Sequence, residues 1–216
     1  MSDVKSQKRR YQSDLRKAQA AETREAMLTA ADDLFRRRGW VAATIADIAA
    51  ASRVSKETVY AVFRNKKAVL RELIVRAVRG TDPKTPLIQQ EATRSIAKEA
   101  DQARQIELFA AGIAKVLERV APLMDVARAA AETDQAMAKL YEELQRGRLN
   151  NLEWFANALA RTGPLRDNMD PGAAGRIIWR LASPDLFMLI RNVEGASQET
   201  YVDWLATSLK LLLLTR

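Results

Sequence analysis

The stretch Thr44–Lys67, TIADIAAASRVSKETVYAVFRNKK, constrains this chain most. Thr44 followed by Asp47 has the spacing of a helix N-cap and capping box, with Ile45, Ile48 and Ala49 facing inward. Ala49, Ala50 and Ala51 are small enough for another helix to cross closely. Ser52-Arg53-Val54 is a turn, and Ser55 caps a second helix from Lys56 to Val62. Val59, Val62 and Phe63 form its apolar side, with Val54 packed from the turn. This helix has about two turns, roughly 10 Å at 1.5 Å per residue, and is too short to persist alone. Neighbouring helices must hold it, leaving Lys56, Glu57, Thr58, Tyr60 and Ala61 outward. Asn65 then caps a helix running to about Arg79. Lys66 and Lys67 stand in its first turn, where the helix dipole disfavours each cation by about 0.3–1 kcal/mol. A phosphate against this helix start would reverse the sign.

The chain before this stretch prepares it. Met27, Ala30, Ala31, Leu34 and Phe35 recur at helical spacing, so residues from about Thr23 to Arg38 form an amphipathic helix. Arg36, Arg37 and Arg38 suit its C-terminal turn, and Gly39 supplies a left-handed stop. Residues 1–20 carry Lys5, Lys8, Arg9, Arg10, Arg16 and Lys17 with few apolar anchors. They are expected to be a basic arm, flexible over most of its length with helix nearer its end, that follows a phosphate backbone, enters a minor groove or is simply solvated. Residues 1–80 hold 18 Lys and Arg against 9 Asp and Glu, while the other 136 residues hold 17 against 18. The excess positive charge of the chain is therefore confined to its first third, which points to a polyanionic partner there.

Composition excludes several function classes. The 216 residues contain no Cys and no His, which removes disulfides, the usual zinc sites, thiol nucleophiles and imidazole bases. No phosphate loop, HExxH, GxSxG or calcium-loop pattern occurs, and Glu142 and Glu143 read as solvated charge. An enzyme is disfavoured, and neither a cofactor nor a metal is expected. The N-terminus lacks the apolar core of a signal peptide, and the longest apolar run, Leu211–Leu214, cannot span a bilayer. With the missing cysteines, this leads to an expected cytoplasmic location.

Abundant Ala and Leu with only 8 Gly and 6 Pro favour an all-α chain. Three segments are expected: the basic arm 1–20, the short-helix unit 21–80, and a nearly neutral helical region 81–216 that follows the Pro-punctuated linker TDPKTP. Helices are expected over 87–98, 101–120, 122–131, 134–162, 171–182, 184–193 and 197–214, with breaks or starts at Pro122 and Pro184.

The pattern T-I-A-D-I-A…V-S-K-E-T-V-Y…F-R-N-K, after a helix ending L-F-R-R-R-G-W, resembles the N-terminal helix-turn-helix domain of TetR-family regulators over about residues 22–70. The resemblance implies a ligand-responsive repressor that binds a palindromic operator as a homodimer. It places Thr44, Ser55, Lys56, Thr58, Tyr60 and Lys66 at DNA-touching positions. Arg53 and Glu57 stand on the same face where the family often has Gly, and Val62 stands where it often has His. Lys56 and Thr58 are then expected at base edges, and Thr44, Tyr60 and Lys66 on phosphates. The resemblance also implies an all-helical second domain that pairs through its last two helices. Trp179, Leu186, Ile190, Trp204, Leu205, Leu209 and Leu213 are candidates for that interface, with a single-chain core as the alternative. Phe109, Met124, Met137, Tyr141, Trp154 and Phe155 are candidates for lining a pocket for an unnamed small molecule, again with core as the alternative. Two rival functions stay open: a helical sensor that keeps the helix-turn-helix only as scaffold, and a sequence-independent DNA binder.

Overall fold

The computed structural model describes residues 2–215, with side chains from Leu15 onward. The described residues are almost entirely helical, apart from short connectors and an isolated β-bridge between Leu165 and Leu214. They form two compact units that divide between Leu73 and Ile74.

The first unit contains α1 (Ser2–Ala42), α2 (Ile45–Ala51), α3 (Lys56–Phe63) and the first half of α4 (Lys66–Arg79). The stripe read in α1 is its core face: Met27, Ala31, Leu34 and Phe35 are buried, and Ala30 is half-buried. Ile48, Ala49, Val59, Phe63, Val69 and Leu70 complete the core. Each large apolar side chain here contributes roughly 1.5–3 kcal/mol by leaving water, which is what holds the two-turn α3 in place. Gly39 sits at φ +70° inside α1, the left-handed region expected of it, and one further helical turn follows to Ala42.

Helical backbone also runs back from Thr23 to Ser2, through the segment expected to be flexible over most of its length. The local reason is composition: no Gly or Pro precedes Gly39, and residues 15–21, LRKAQAA, are strong helix formers.

The second unit contains α5 (Glu91–Lys98), α6 (Gln102–Ala131), α7 (Gln135–Thr162), α8 (Pro171–Leu181), α9 (Pro184–Met188) and α10 (Gln198–Leu213). α6 packs on α7, α9 and α10, and α7 packs on α8. Phe109 and Phe155 stack at 4.0 Å between ring centroids across α6 and α7. α7 and α8 approach closely at Gly175, where an added Cβ would lie 3.3 Å from Glu153 Cα.

Three expected boundaries differ. α6 is one helix through Pro122, not two. Proline costs about 3 kcal/mol in a helix interior. Here Val120, Ala121, Leu123 and Met124 on either side are all buried, and their combined burial outweighs that cost. The helix expected over 184–193 ends its α-form at Met188 and continues as a π-helical turn, Leu189–Val193. The one expected over 87–98 opens with a 3-10 turn, Leu87–Gln89, before α5. Gln90 separates them in extended conformation, and its carboxamide N–H groups donate to Arg79 O, Asp82 O and Thr85 O, tying the linker into a compact turn.

Candidate nucleic-acid interface

The short helices are capped as the spacing demanded. Thr44 Oγ1 accepts from Asp47 N at 3.1 Å, and the Asp47 carboxylate accepts from Thr44 N at 2.9 Å and from the Thr44 hydroxyl at 2.6 Å. These bonds, the hydroxyl first and the backbone second, hold the Asp47 carboxyl below its ordinary range, with Arg38 helping. The exposed Thr44 hydroxyl has a single hydrogen and gives it to Asp47, so a phosphate oxygen must compete for it. Ser55 caps α3, accepting from Thr58 N at 3.1 Å.

α3 carries Lys56, Glu57 and Tyr60 exposed and Thr58 half-buried. Tyr60 is 51% exposed, a large aromatic side chain presented to solvent. The Glu57 carboxyl is held below its usual range by its own backbone N–H first and by the Ser55 hydroxyl second. Glu57 also stands on the outer face of α3.

The turn before α3 is a Schellman motif. Arg53 N donates to Ala50 O at 3.2 Å and Val54 N to Ala49 O at 3.0 Å, with Arg53 at φ +57°. Arg53, which stands where glycine is frequent, takes the left-handed form, which costs a non-glycine residue about 1 kcal/mol or more. A second strained residue gave no sequence signal. Arg64 sits at φ +64°, ψ −41° after α3, with Asn65 N donating to Phe63 O at 2.7 Å, a γ-turn of the rare positive-φ form. Strain brackets α3 at both ends. Asn65 then caps α4, its side-chain oxygen accepting from Ala68 N at 2.9 Å.

Lys66 has a use that the helix-dipole argument did not reveal. Its ammonium donates to Trp40 O at 2.6 Å and Ala43 O at 3.0 Å, and lies 4.1 Å from the centroid of the Trp40 ring. It fastens the α1–α2 connector to α4. Protein carbonyls and a ring face therefore already compensate a cation at the unfavourable helix end. Half-buried Lys67 stands on the same turn. Arg24 also escaped sequence reading. It pairs with the Glu72 carboxylate and lies 4.6 Å above the Phe63 ring, clamping α1 to the end of α3 and to α4.

In the second unit, Met124 and Tyr141 line an open cavity of about 430 Å³, together with Asp125, Arg128, Pro184, Asp185, Met188 and the π-helical turn. Phe109, Met137 and Phe155 are packed in the core, and half-buried Trp154 lies against Phe155. Of the residues considered for pairing, Ile190, Leu205, Leu209 and Leu213 are buried within the single chain. Trp179, Leu186 and Trp204 are half-exposed. Trp179 is also a platform for Arg148, whose guanidinium lies 4.8 Å over the ring and donates to Trp179 O at 2.7 Å and Ala182 O at 3.3 Å. Burial pulls the Arg148 pKa down to about 10. Leu189, Val193, Leu211 and Leu212 are large apolar side chains left exposed.

Among the described residues no helix is long and apolar enough to cross a membrane, and no group of three or more Asp or Glu could hold a metal ion. Comparison with known proteins bears on the same segment. Residues 27–73 match the family described as "Bacterial regulatory proteins, tetR family". The chain is 41% identical over 61 residues to the HTH-type transcriptional repressor BepR of Brucella suis biovar 1, an alignment that covers 28% of this chain and 29% of BepR. It thus spans under a third of that relative's length. NalD of Pseudomonas aeruginosa, the secondary repressor of the MexAB-OprM multidrug efflux pump, superposes with a TM-score of 0.67 at 19% identity, covering 91% of this chain and 98% of NalD. The fatty acid degradation regulator FadR of Bacillus halodurans gives 0.67 at 18%, covering 87% and 94%. At such identities the likeness concerns the fold. The caps, the turn and the match at 27–73 identify the first unit as a helix-turn-helix domain of the kind found in TetR-family bacterial regulators, and the fold of the chain is similar to that of NalD and FadR.

Proposed function

We propose that this chain is a sequence-specific transcriptional repressor that binds a palindromic operator as a homodimer and is released by a small molecule. The observation that carries the reading is the outer face of α3. Lys56, Thr58 and Tyr60 are presented together on a capped two-turn helix, in the third of the chain that holds all the excess positive charge. A scaffold has no need of that combination. Lys56 suits guanine acceptors and the Thr58 methyl suits thymine, while Tyr60, Arg53, Thr44 and Lys67 are placed for phosphates. Two copies present their α3 helices to half-sites one or more turns of DNA apart.

Pairing runs through the apolar side chains that the second unit leaves in water: Trp179, Leu186, Leu189, Val193, Trp204, Leu211 and Leu212. A monomer gains nothing from this exposure, and a two-fold interface would bury it. The effector occupies the cavity lined by Met124, Tyr141 and Met188. Its influence on DNA is limited to its difference in affinity between the DNA-binding and released forms.

The test is selection of DNA duplexes from a random pool by the full chain, followed by anisotropy titration of the selected and a scrambled duplex. A selected palindrome bound at least ~10³-fold tighter than the scrambled duplex is expected. Replacing Lys56→Ala should relax preference at one base position in each half-site. Equal binding to both duplexes would leave a sequence-independent binder, and binding to neither would leave a scaffold.

A further inference from the structure

Among the described side chains of α1, from Leu15 onward, the first to reach the core are Met27 and Leu28, while residues 15–22 are exposed throughout. Helical backbone nevertheless continues to Ser2. Residues 15–22 offer no packed face, and a helical stretch without one is marginal in water and needs a partner to persist. Its sequence indicates which. Residues 1–20 carry Lys5, Lys8, Arg9, Arg10, Arg16 and Lys17 against Asp3 and Asp14. Lys5, Arg9 and Arg16 recur at i, i+4 and i+11, which places them within an arc of about 40° at 100° per residue.

The point where this segment leaves the first unit is defined by tertiary contacts. Arg24 lies over the ring of Phe63, the last residue of α3, and is pinned there by Glu72. The basic helix therefore starts beside the reading helix.

We propose that the helical extension Ser2–Ala21 is a second nucleic-acid contact, which lies along the phosphates of duplex flanking the bases that α3 reads. The proposal rests on the DNA-binding function above. Of the two routes open to a basic arm, helical form removes one. A helix with its side chains is roughly 10–12 Å wide, and the minor groove of B-DNA is roughly 6 Å wide. The extension is about 30 Å long, the axial length of about nine base pairs. Its contribution is sequence-independent: it strengthens binding to any duplex and lengthens the protected flank, without changing which bases are preferred.

Two variants of the full chain test this: deletion of residues 2–20, and the quadruple change Lys5→Gln, Lys8→Gln, Arg9→Gln and Arg16→Gln, which keeps good helix formers. Each is titrated with the selected duplex and with the scrambled duplex over a range of KCl concentrations, with circular dichroism confirming that the rest is folded. The expected result is a salt slope smaller by about 2 to 4 units per protomer on both duplexes and at least ~10-fold weaker binding near physiological salt. The ratio of affinities between the two duplexes should not change. Unchanged slope and affinity on both duplexes in the folded variants would overturn the proposal, and so would a loss confined to the selected duplex. Failure of the full chain to prefer any duplex would sink the sequence-specific reading instead, because the scrambled duplex still reports on the extension by itself.

Discussion

Arg53 holds the position of a Schellman turn at which glycine is usual, and it does so at φ +57°. The replacement Arg53→Gly should therefore stabilise the first unit by about 1 kcal/mol, less the entropy that glycine adds to the unfolded chain. An increase in urea midpoint measured on the free protein would show this, and a decrease would mean that the arginine side chain makes a compensating contact. Lys66 is the opposite case, a cation at an unfavourable helix end whose charge is spent inside the protein. Lys66→Met keeps the stem but leaves Trp40 O and Ala43 O without their donor. A loss of about 1–3 kcal/mol is expected, visible as a lower urea midpoint in the absence of DNA. If stability is unchanged while DNA binding falls, the lysine belongs to the phosphates after all. Sequence reading placed Arg53 and Lys66 correctly on their turns. The backbone angle at Arg53 and the Lys66 contact 26 residues away in the chain leave no periodicity by which sequence could decide them.

At the scale of elements, capping was the most legible feature. Thr44, Ser55 and Asn65 each cap the helix that follows, because cap chemistry is local and is written within four residues. The Thr44–Asp47 box also has a pH signature. The Thr44 hydroxyl and backbone N–H hold the Asp47 carboxyl below its ordinary range, so its contribution is complete above the ordinary aspartate pKa and is lost as pH falls through the lower folded pKa. Asp47→Asn should accordingly lower the urea midpoint at pH 7, and the difference from the parent chain should narrow below about pH 4. A difference that persists undiminished at pH 3 would assign the effect to something other than the carboxylate. Helix length was less legible than helix starts. Pro122 is a strong local breaker, but burial of the residues on either side of it decides the outcome, and α6 stays whole. The π-helical turn at Leu189–Val193 has no sequence mark either.

At the scale of the whole molecule, the apolar side chains exposed on α9, the π-helical turn and α10 call for a partner, and a second copy is the economical one. Leu189→Asp combined with Val193→Asp changes residues that are 46% and 76% exposed in the single chain, so folding should survive. If the proposed pairing holds, the parent should sediment as a dimer and the double variant as a monomer at micromolar concentration, and the DNA salt slope of the variant should fall by about half as one set of phosphate contacts is lost. A dimer that persists would move the interface elsewhere on the second unit.

Local physics is what the amino-acid order determines unaided: which residues start a helix, which face is apolar, where positive charge gathers, and so the all-α class and the helix-turn-helix between Thr44 and Lys67. The fate of an apolar residue on α6, α7 or α10 belongs to tertiary structure. Met124 and Phe155 are both large and apolar and stand at helical spacing, yet Met124 borders the cavity while Phe155 stacks on Phe109 in the core. Leu209 is buried and Leu211 is exposed, two residues apart on one helix. A helical period marks which side chains must leave water; only the packing of the other helices decides whether the chain itself, a ligand or a second copy covers them.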